Sequence, residues 1–377
     1  MAAARNGLAL AMLGFGSFAI GTDSHIVIGM LDRVAHGLAV TGPEAGQLVT
    51  MFSLTYALSA PFSGWLLGAV DRRHALVLAF GVFVVGNLVC GIAGGYAVMA
   101  LGRCLSAIGA GMFTPLAFAI ATDLVRPERR GVALSIVFGG MTVALAFGVP
   151  AGLWVVQFVD WHWVFLCIAA LSTIMAVLLM GLLPRLPQPA RTTLHERLRP
   201  AANPRVLAAL IMAFLVVLSE FTLYAYIGIV FAQERAAILP AVLMGFGLGT
   251  ILGNVVVGVV TDHFGPRRIL IGAVVVQTML LPSIVLARDV PGLPIAIAFA
   301  WGIVSYMYLV PIQHRLVELS RDAGPMTLSL NSSAMYLGIS GGGAVGGALL
   351  AVAGVSGLAV GAAIIGAVAL TIILRRF

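Results

Sequence analysis

Apolar residues run along this chain in long stretches separated by short polar connections. A helix needs about 20 mostly apolar residues to cross a bilayer. Stretches of that kind fall near residues 8–30, 45–70, 74–94, 97–122, 131–157, 163–183, 206–231, 237–261, 268–287, 293–314, 326–351 and 355–374, predicting twelve transmembrane helices. The longest connection, PRLPQPARTTLHERLRPAANPR over 184–205, is rich in proline and arginine and too short for a further domain. It divides the chain into six-helix units over 1–183 and 206–377, an all-α membrane fold of two bundles.

The units repeat one another at an offset of 194 residues. Gly64 maps to Gly258, Arg73 to Arg267, Ser135 to Ser329, Gly148 to Gly342 and Gly152 to Gly346. Five matches at one offset indicate duplication, and transporters built from related halves bind substrate near the bilayer midplane between them.

Composition agrees with the pattern and removes several functions. Charged residues make up 9% of the chain, against roughly 25% in soluble domains, and the mean hydropathy is +1.08. All 21 basic residues are arginines. Without a lysine there is no phosphate cradle of the kind an ATP-driven pump uses. Arg103 falls inside a span and Arg33, Arg235 and Arg288 lie in connections on one side. The other 17 lie on the side of the termini, which places both termini in the cytoplasm by the excess of positive charge there. The net charge of +7 is thus a topology signal and not a nucleic-acid footprint. Cys90, Cys104 and Cys167 lie in apolar stretches without metal-ligand spacing, and neither a metal nor a cofactor site is expected. No nucleophile elbow or hydrolytic carboxylate pair suggests an enzyme.

Glycines stand at helical spacing inside the spans. Gly140, Ala144, Gly148 and Gly152 form a bare stripe, with Pro150 beside it. Gly245, Gly249 and Gly253, then Gly338, Gly342 and Gly346, repeat the arrangement. Helices in lipid gain nothing by burying leucine against leucine, so small residues let their backbones touch. The stripes serve either as ordinary packing or as flat surfaces on which the halves rock, and Pro150 is expected to bend the fifth span.

Three ionisable residues stand well inside spans: Asp23, Arg103 and Glu220. An unpaired charge at the bilayer centre costs about 2.5–3.5 kcal/mol on insertion scales, so all three are expected to face the interior. Asp23 lies ~22 Å along a rising helix and Arg103 about six residues down a descending one, which puts both at similar depth. They are expected to form a pair that either opens and closes with protonation or statically locks two helices. Glu220, with Tyr224 one turn on, is a second proton site, a contact for a cationic substrate, or a carboxylate satisfied by a hydroxyl. Tyr306 and Tyr336 offer aromatic surface for an amphipathic ligand. Asn331 either lines the cavity or caps its helix, and His25 is expected on a backbone carbonyl.

GGMTVALAFGVPAG at 139–152 resembles the fifth-span signature of the drug:proton antiporter branch of the major facilitator superfamily. GRCLSAIGAG, TDLVRPERRG and NSSAMYLGISGGGAVGG resemble segments of its arabinose efflux permease-like members. The resemblance implies a monomeric inner-membrane secondary transporter that exports a small molecule in exchange for protons. An importer of the same fold and a membrane sensor are the alternatives. In the family, Arg103 occupies the place of the fourth-span arginine beside the central cavity. The family gate motif stands as GVVTDHFGPRR in the second half, with Gly258, Asp262, Gly265 and Arg267. In the first half, GWLLGAVDRR carries Gly64, Asp71, Arg72 and Arg73 but has Gly68 where the aspartate belongs.

Overall fold

The computed structural model describes residues 2–66, 70–126, 129–183, 193–320 and 324–376. In chain order the spans are α1 (Ala2–Gly29), α2 (Gly42–Leu66), α3 (Arg72–Gly91), α4 (Tyr96–Asp123), α5 (Val132–Val155) and α6 (His162–Leu182). They continue with α7 (Pro204–Val230), α8 (Leu239–Phe264), α9 (Pro266–Leu286) and α10 (Leu293–Leu319). A last helix, Gly324–Arg376, doubles back at Gly354, whose φ of 62° only glycine adopts without strain. Its arms are α11 (324–353) and α12 (355–376). A Cβ on Gly361 would fall 2.3 Å from Leu349, which shows the arms side by side.

Ten helical segments among the described residues are long and apolar enough to cross a membrane. The segment bent at Gly354 supplies two crossings, and α2, 25 residues long, supplies the twelfth. Ile174, Val177, Val255, Val259 and Ile364 lie exposed along the spans, as side chains facing lipid do. Within the first half, α1 packs on α5 and α6, and α3 on α4 and α6. Within the second, α7 packs on α11 and α12, α8 on α10, and α9 on α10 and α12. The 194-residue offset carries Arg72, first in α3, to Pro266, first in α9. The halves touch along two lines, α2 against α11 and α5 against α8.

The glycine stripes do not form that seam, contrary to the rocking-surface expectation. A methyl on Gly140 would sit 2.0 Å from the Gly14 carbonyl oxygen, and one on Gly148 2.2 Å from Thr22, so this stripe faces α1 inside its own bundle. Gly249 and Gly253 approach Phe299 and Ile303 of α10, while Gly342 and Gly346 approach Phe221 and Thr222 of α7. Each stripe therefore joins the helices of one half. Glycines that meet the other half lie off the stripes, among them Gly247 against Ala146, Gly228 against the Ile28 carbonyl, Gly343 against Thr50 and Gly347 against Gln47.

Pro150 of α5 follows a widened turn. Ala144–Gly148 winds as a π-helix directly ahead of the segment Val149–Val155, whose second residue is Pro150. Proline has no N–H for the preceding turn and its ring crowds the carbonyl four residues back, and a widened turn relieves both. The widened turn also carries Ala146 onto α8, where a Cβ on Gly247 would meet the Ala146 backbone at 2.2 Å.

Neighbouring glycines of α5 separate close packing from helix propensity. Gly140→Ala must displace the α1 backbone, so it is expected to destabilise by about 1–3 kcal/mol. Gly139→Ala meets nothing within 4 Å and is expected to be neutral or to gain up to about 1 kcal/mol in helix propensity. Thermal unfolding in detergent reads the difference; equal melting temperatures would contradict the packing assigned here.

Candidate functional site

A central cavity opens between the halves, with about 170 Å³ of room for the centres of water-sized molecules. One water needs only about 10–15 Å³ on that measure, so the space suits a small organic molecule. Its walls come from α1, α2, α4 and α5 on one side and α7, α8, α10 and α11 on the other. Among the described residues α3, α6, α9 and α12 contribute none. The lining runs through Phe118, Phe138 and Gln313 toward the face where α1 starts and α12 ends, here the near face.

The opposite, far face is closed by side chains seated on glycine. The helix of α7 breaks at Ala225–Tyr226 before resuming at Ile227–Val230. This break delivers Tyr226 between α2 and α11, where its hydroxyl donates to the Gly343 carbonyl at 2.7 Å. A Cβ on Gly46 of α2 would lie 2.2 Å from the same hydroxyl. Ile229 covers Gly42 in the same way. Deeper in, Tyr56 of α2 and Tyr336 of α11 stack across the seam with ring centroids 3.6 Å apart.

Glu220 stands on the cavity wall and is 3% exposed. Both its oxygens are engaged by α10: Ser305 donates to Oε1 at 2.7 Å and the Tyr308 hydroxyl donates to Oε2 at 2.7 Å. Ser305 has one hydrogen, and its Oγ also lies 3.0 Å from the Trp301 carbonyl. With the hydrogen on Glu220, serine supports an ionised carboxylate; with the hydrogen on Trp301, its lone pairs can accept from a protonated one. No cation pairs with Glu220 among the described residues. Tyr224, one turn along α7, packs edge-on against Trp301 and at 4.8 Å against Phe246. Tyr306 and Tyr336 also line the cavity.

Asp23 and Arg103 are both fully buried and meet at 2.9 Å between Oδ1 and Nη1, linking α1 to α4. Nη1 also donates to the Asp23 carbonyl at 3.1 Å, and the guanidinium lies 4.2 Å over the Phe52 ring of α2. Among the described residues, Asp23 Oδ2 and Arg103 Nε and Nη2 have no hydrogen-bond partner. The pair sits within the first bundle and is absent from the cavity lining, so the cavity-side placement implied by the family does not hold for it. His25, two residues on, does line the cavity, with Nδ1 3.0 Å from the Gly21 carbonyl oxygen.

Asn331 is also off the cavity wall. It lies two turns inside a helix that begins at Gly324, too far in to cap it, and its amide reaches Met335 Sδ at 3.5 Å. Ser332 and Met335 supply the wall at that level. Of the gate residues, Asp71 caps α3 by accepting from the Arg73 and His74 backbone N–H groups, and Arg72 pairs with Asp123 at the end of α4. Gly64 lies within α2, whereas Gly68 falls outside the described residues. Gly265 turns the chain from α8 to α9 at φ 83°. Asp262 is exposed and makes no ion pair among the described residues; Gly258 has open space around it, and Arg267 donates to the Leu374 carbonyl at 3.4 Å. Sequence reasoning missed Ser305, Tyr308 and Tyr226, since nothing in their local pattern points across 85 to 117 residues to their partners.

Comparison with known proteins fits this geometry. The sequence profile described as Major Facilitator Superfamily matches residues 13–324. The chain is 31% identical over 344 residues to "Inner membrane transport protein YdhP" of Escherichia coli O157:H7, covering 90% of this chain and 88% of the relative. It is 22% identical to "Probable sugar efflux transporter" of Mannheimia succiniciproducens, covering 95% and 91%. Among solved structures, a D-xylose-proton symporter superposes with TM-score 0.78 at 14% identity, over 98% of this chain and 97% of that one. A bacterial homolog of the human lysosomal transporter Spinster, inward-facing and unoccupied, superposes with TM-score 0.74 at 16% identity, over 99% and 95%.

Removing one member of the buried ion pair strands the other. Arg103→Leu is expected to destabilise by about 3–5 kcal/mol, while Asp23→Leu combined with Arg103→Met returns most of that loss, because no charge is left unpaired. Melting temperatures of the single and double variants in detergent check this. A double variant no more stable than the single would refute the pairing.

Proposed function

The chain belongs to the Major Facilitator Superfamily, as a multi-pass membrane transporter and not an enzyme, and we propose that it exports a small amphipathic molecule in exchange for protons. The observation that carries this reading is Glu220, a buried carboxylate on the cavity wall whose partners are neutral hydroxyls able to serve it with or without a proton. An acid held by a cation stays ionised through the cycle, whereas one held by hydroxyls can trade a proton for a ligand. The cavity wall presents Tyr224, Phe246, Tyr306 and Tyr336, and no arginine among the described residues. That surface favours a ligand with apolar rings and a neutral or positive polar group.

In this scheme residues 1–183 and 206–377 are the two moving bodies, joined by the 184–205 connection, and the termini are cytoplasmic in a bacterial inner membrane. The arginine distribution supports that orientation, and YdhP is named an inner-membrane protein. The near face is then cytoplasmic and the conformation inward-facing. A proton arriving from outside on Glu220 displaces the substrate there, and its release to the cytoplasm frees the carboxylate for the next load. Asp23 and Arg103 take part as a pair whose incomplete hydrogen bonding lowers the cost of rearranging it when the bundles tilt. Asp262, without an ion-pair partner in this state, acquires one when the near face closes. Only differential affinity between the two states can drive the cycle.

Three measurements test this. If proton and substrate compete for Glu220, affinity for a cationic substrate falls up to about tenfold per pH unit on acidification once the carboxylate is protonated, and Glu220→Gln makes binding independent of pH. In oriented proteoliposomes, substrate and protons are expected to move in opposite directions. Glu220→Gln should lose gradient-driven flux about tenfold or more while still binding ligand, and Asp23→Asn, which strands the Arg103 charge, should lose flux together with thermal stability. Wild-type flux in Glu220→Gln removes the proton assignment, and co-directional movement makes the protein a symporter. Separately, Gly46→Leu leaves no room for Tyr226 and is expected to hold the far face open, raising the labelling of a cysteine placed at Tyr56. Unchanged labelling would rule out the far-face seal.

A further inference from the structure

A second cavity, of about 300 Å³, lies at the near face where α7, α10 and α12 meet, apart from the translocation pathway. Its rim carries Arg205 at the start of α7, Arg315 toward the end of α10, and Arg375 and Arg376 at the end of α12. Its floor includes Ala209 and Met212, both buried. Four guanidiniums from three helices thus converge over an apolar base. Arg315 is already engaged, with Glu318 at 3.7 Å. The side chains of Arg205, Arg375 and Arg376 make no hydrogen bond or ion pair among the described residues.

Cations in the last turn of a helix ordinarily serve its carbonyl end. Here Arg267 serves that end of α12, donating to the Leu374 carbonyl, and Arg375 and Arg376 have no acidic partner among the described residues. Guanidinium groups match phosphate oxygens two at a time, and basic pockets between spans at the cytoplasmic side hold lipid headgroups. Beside the rim, Leu207 and Ile211 of α7 are exposed, 46% and 42%, and offer an apolar lane along the bundle surface.

We propose that this pocket binds a phosphate anion carried on an anionic phospholipid, the headgroup held by Arg205, Arg375 and Arg376 and the chains lying along α7. The apolar floor and the exposed lane favour a lipid over free phosphate. The test titrates the full-length protein in detergent with phosphatidylglycerol, phosphatidylcholine or inorganic phosphate, following thermal unfolding and counting retained lipids by native mass spectrometry. R205Q/R375Q/R376Q is compared with R126Q/R129Q/R130Q, which removes equal charge from the same face of the other bundle. Phosphatidylglycerol is expected to raise the melting temperature of the wild type and of the control triple, with phosphatidylcholine inert. The pocket triple should need about tenfold more phosphatidylglycerol or beyond. If inorganic phosphate alone matches phosphatidylglycerol, the anion site stands and its source is the free ion. If the pocket triple responds like the wild type, or phosphatidylcholine works as well, the proposal falls. Should that triple fail to fold, R376Q alone is expected to weaken the response several-fold, and an unchanged response overturns the site equally.

Discussion

Between α1 and α5 the backbones come so close that the Gly140 position has no space for a methyl group, and the same is true of Gly342 against α7 and Gly249 against α10. In lipid this closeness replaces the hydrophobic effect as the source of helix adhesion, since dispersion contacts and satisfied backbone groups are what remains when apolar burial yields nothing. Each half is thereby made into one stiff body. The seam between the halves has fewer such contacts, among them those of Gly228, Gly247, Gly343 and Gly347, with Tyr226 seated on Gly46. The tight packing thus lies within the halves and the looser packing between them.

Each half holds a buried acid between its first and fourth spans, although the 194-residue offset carries Asp23 to Val217 and not to Glu220. In each half a carboxylate on the first span is held by the fourth span: Asp23 of α1 by Arg103 of α4, and Glu220 of α7 by Ser305 and Tyr308 of α10. The halves differ in what holds the acid. A guanidinium over Phe52 fixes Asp23 inside its bundle, whereas two hydroxyls leave Glu220 on the cavity wall. The first acid is paired with a cation inside its bundle, and the second faces the cavity with neutral partners.

Much of the fold was legible because the bilayer imposes a strong rule on sequence: twelve apolar stretches, an arginine asymmetry and a repeat at one offset leave little freedom. The ionisable residues were also legible, since a charge inside a span must find an interior position. What they touch was not. Asp23 was expected beside the cavity and lies within its bundle, because helix rotation about the long axis is set by packing that periodicity leaves open when all faces are apolar. The glycine stripes were visible as stripes, but a bare face fits a neighbour in its own half as well as one across the seam. Asn331 fell to the same ambiguity, and Tyr226 was hidden because the break that places it, at Ala225–Tyr226, carries neither glycine nor proline.

The bend at Gly354 joins α11 and α12 through one residue, without an intervening loop. α11 forms part of the seam with α2, while α12 lies behind it against α7 and α9. Such a joint has no slack. If α11 swings away from α2, no loop is there to absorb the motion, so α12 and the outer wall of the second half would follow it.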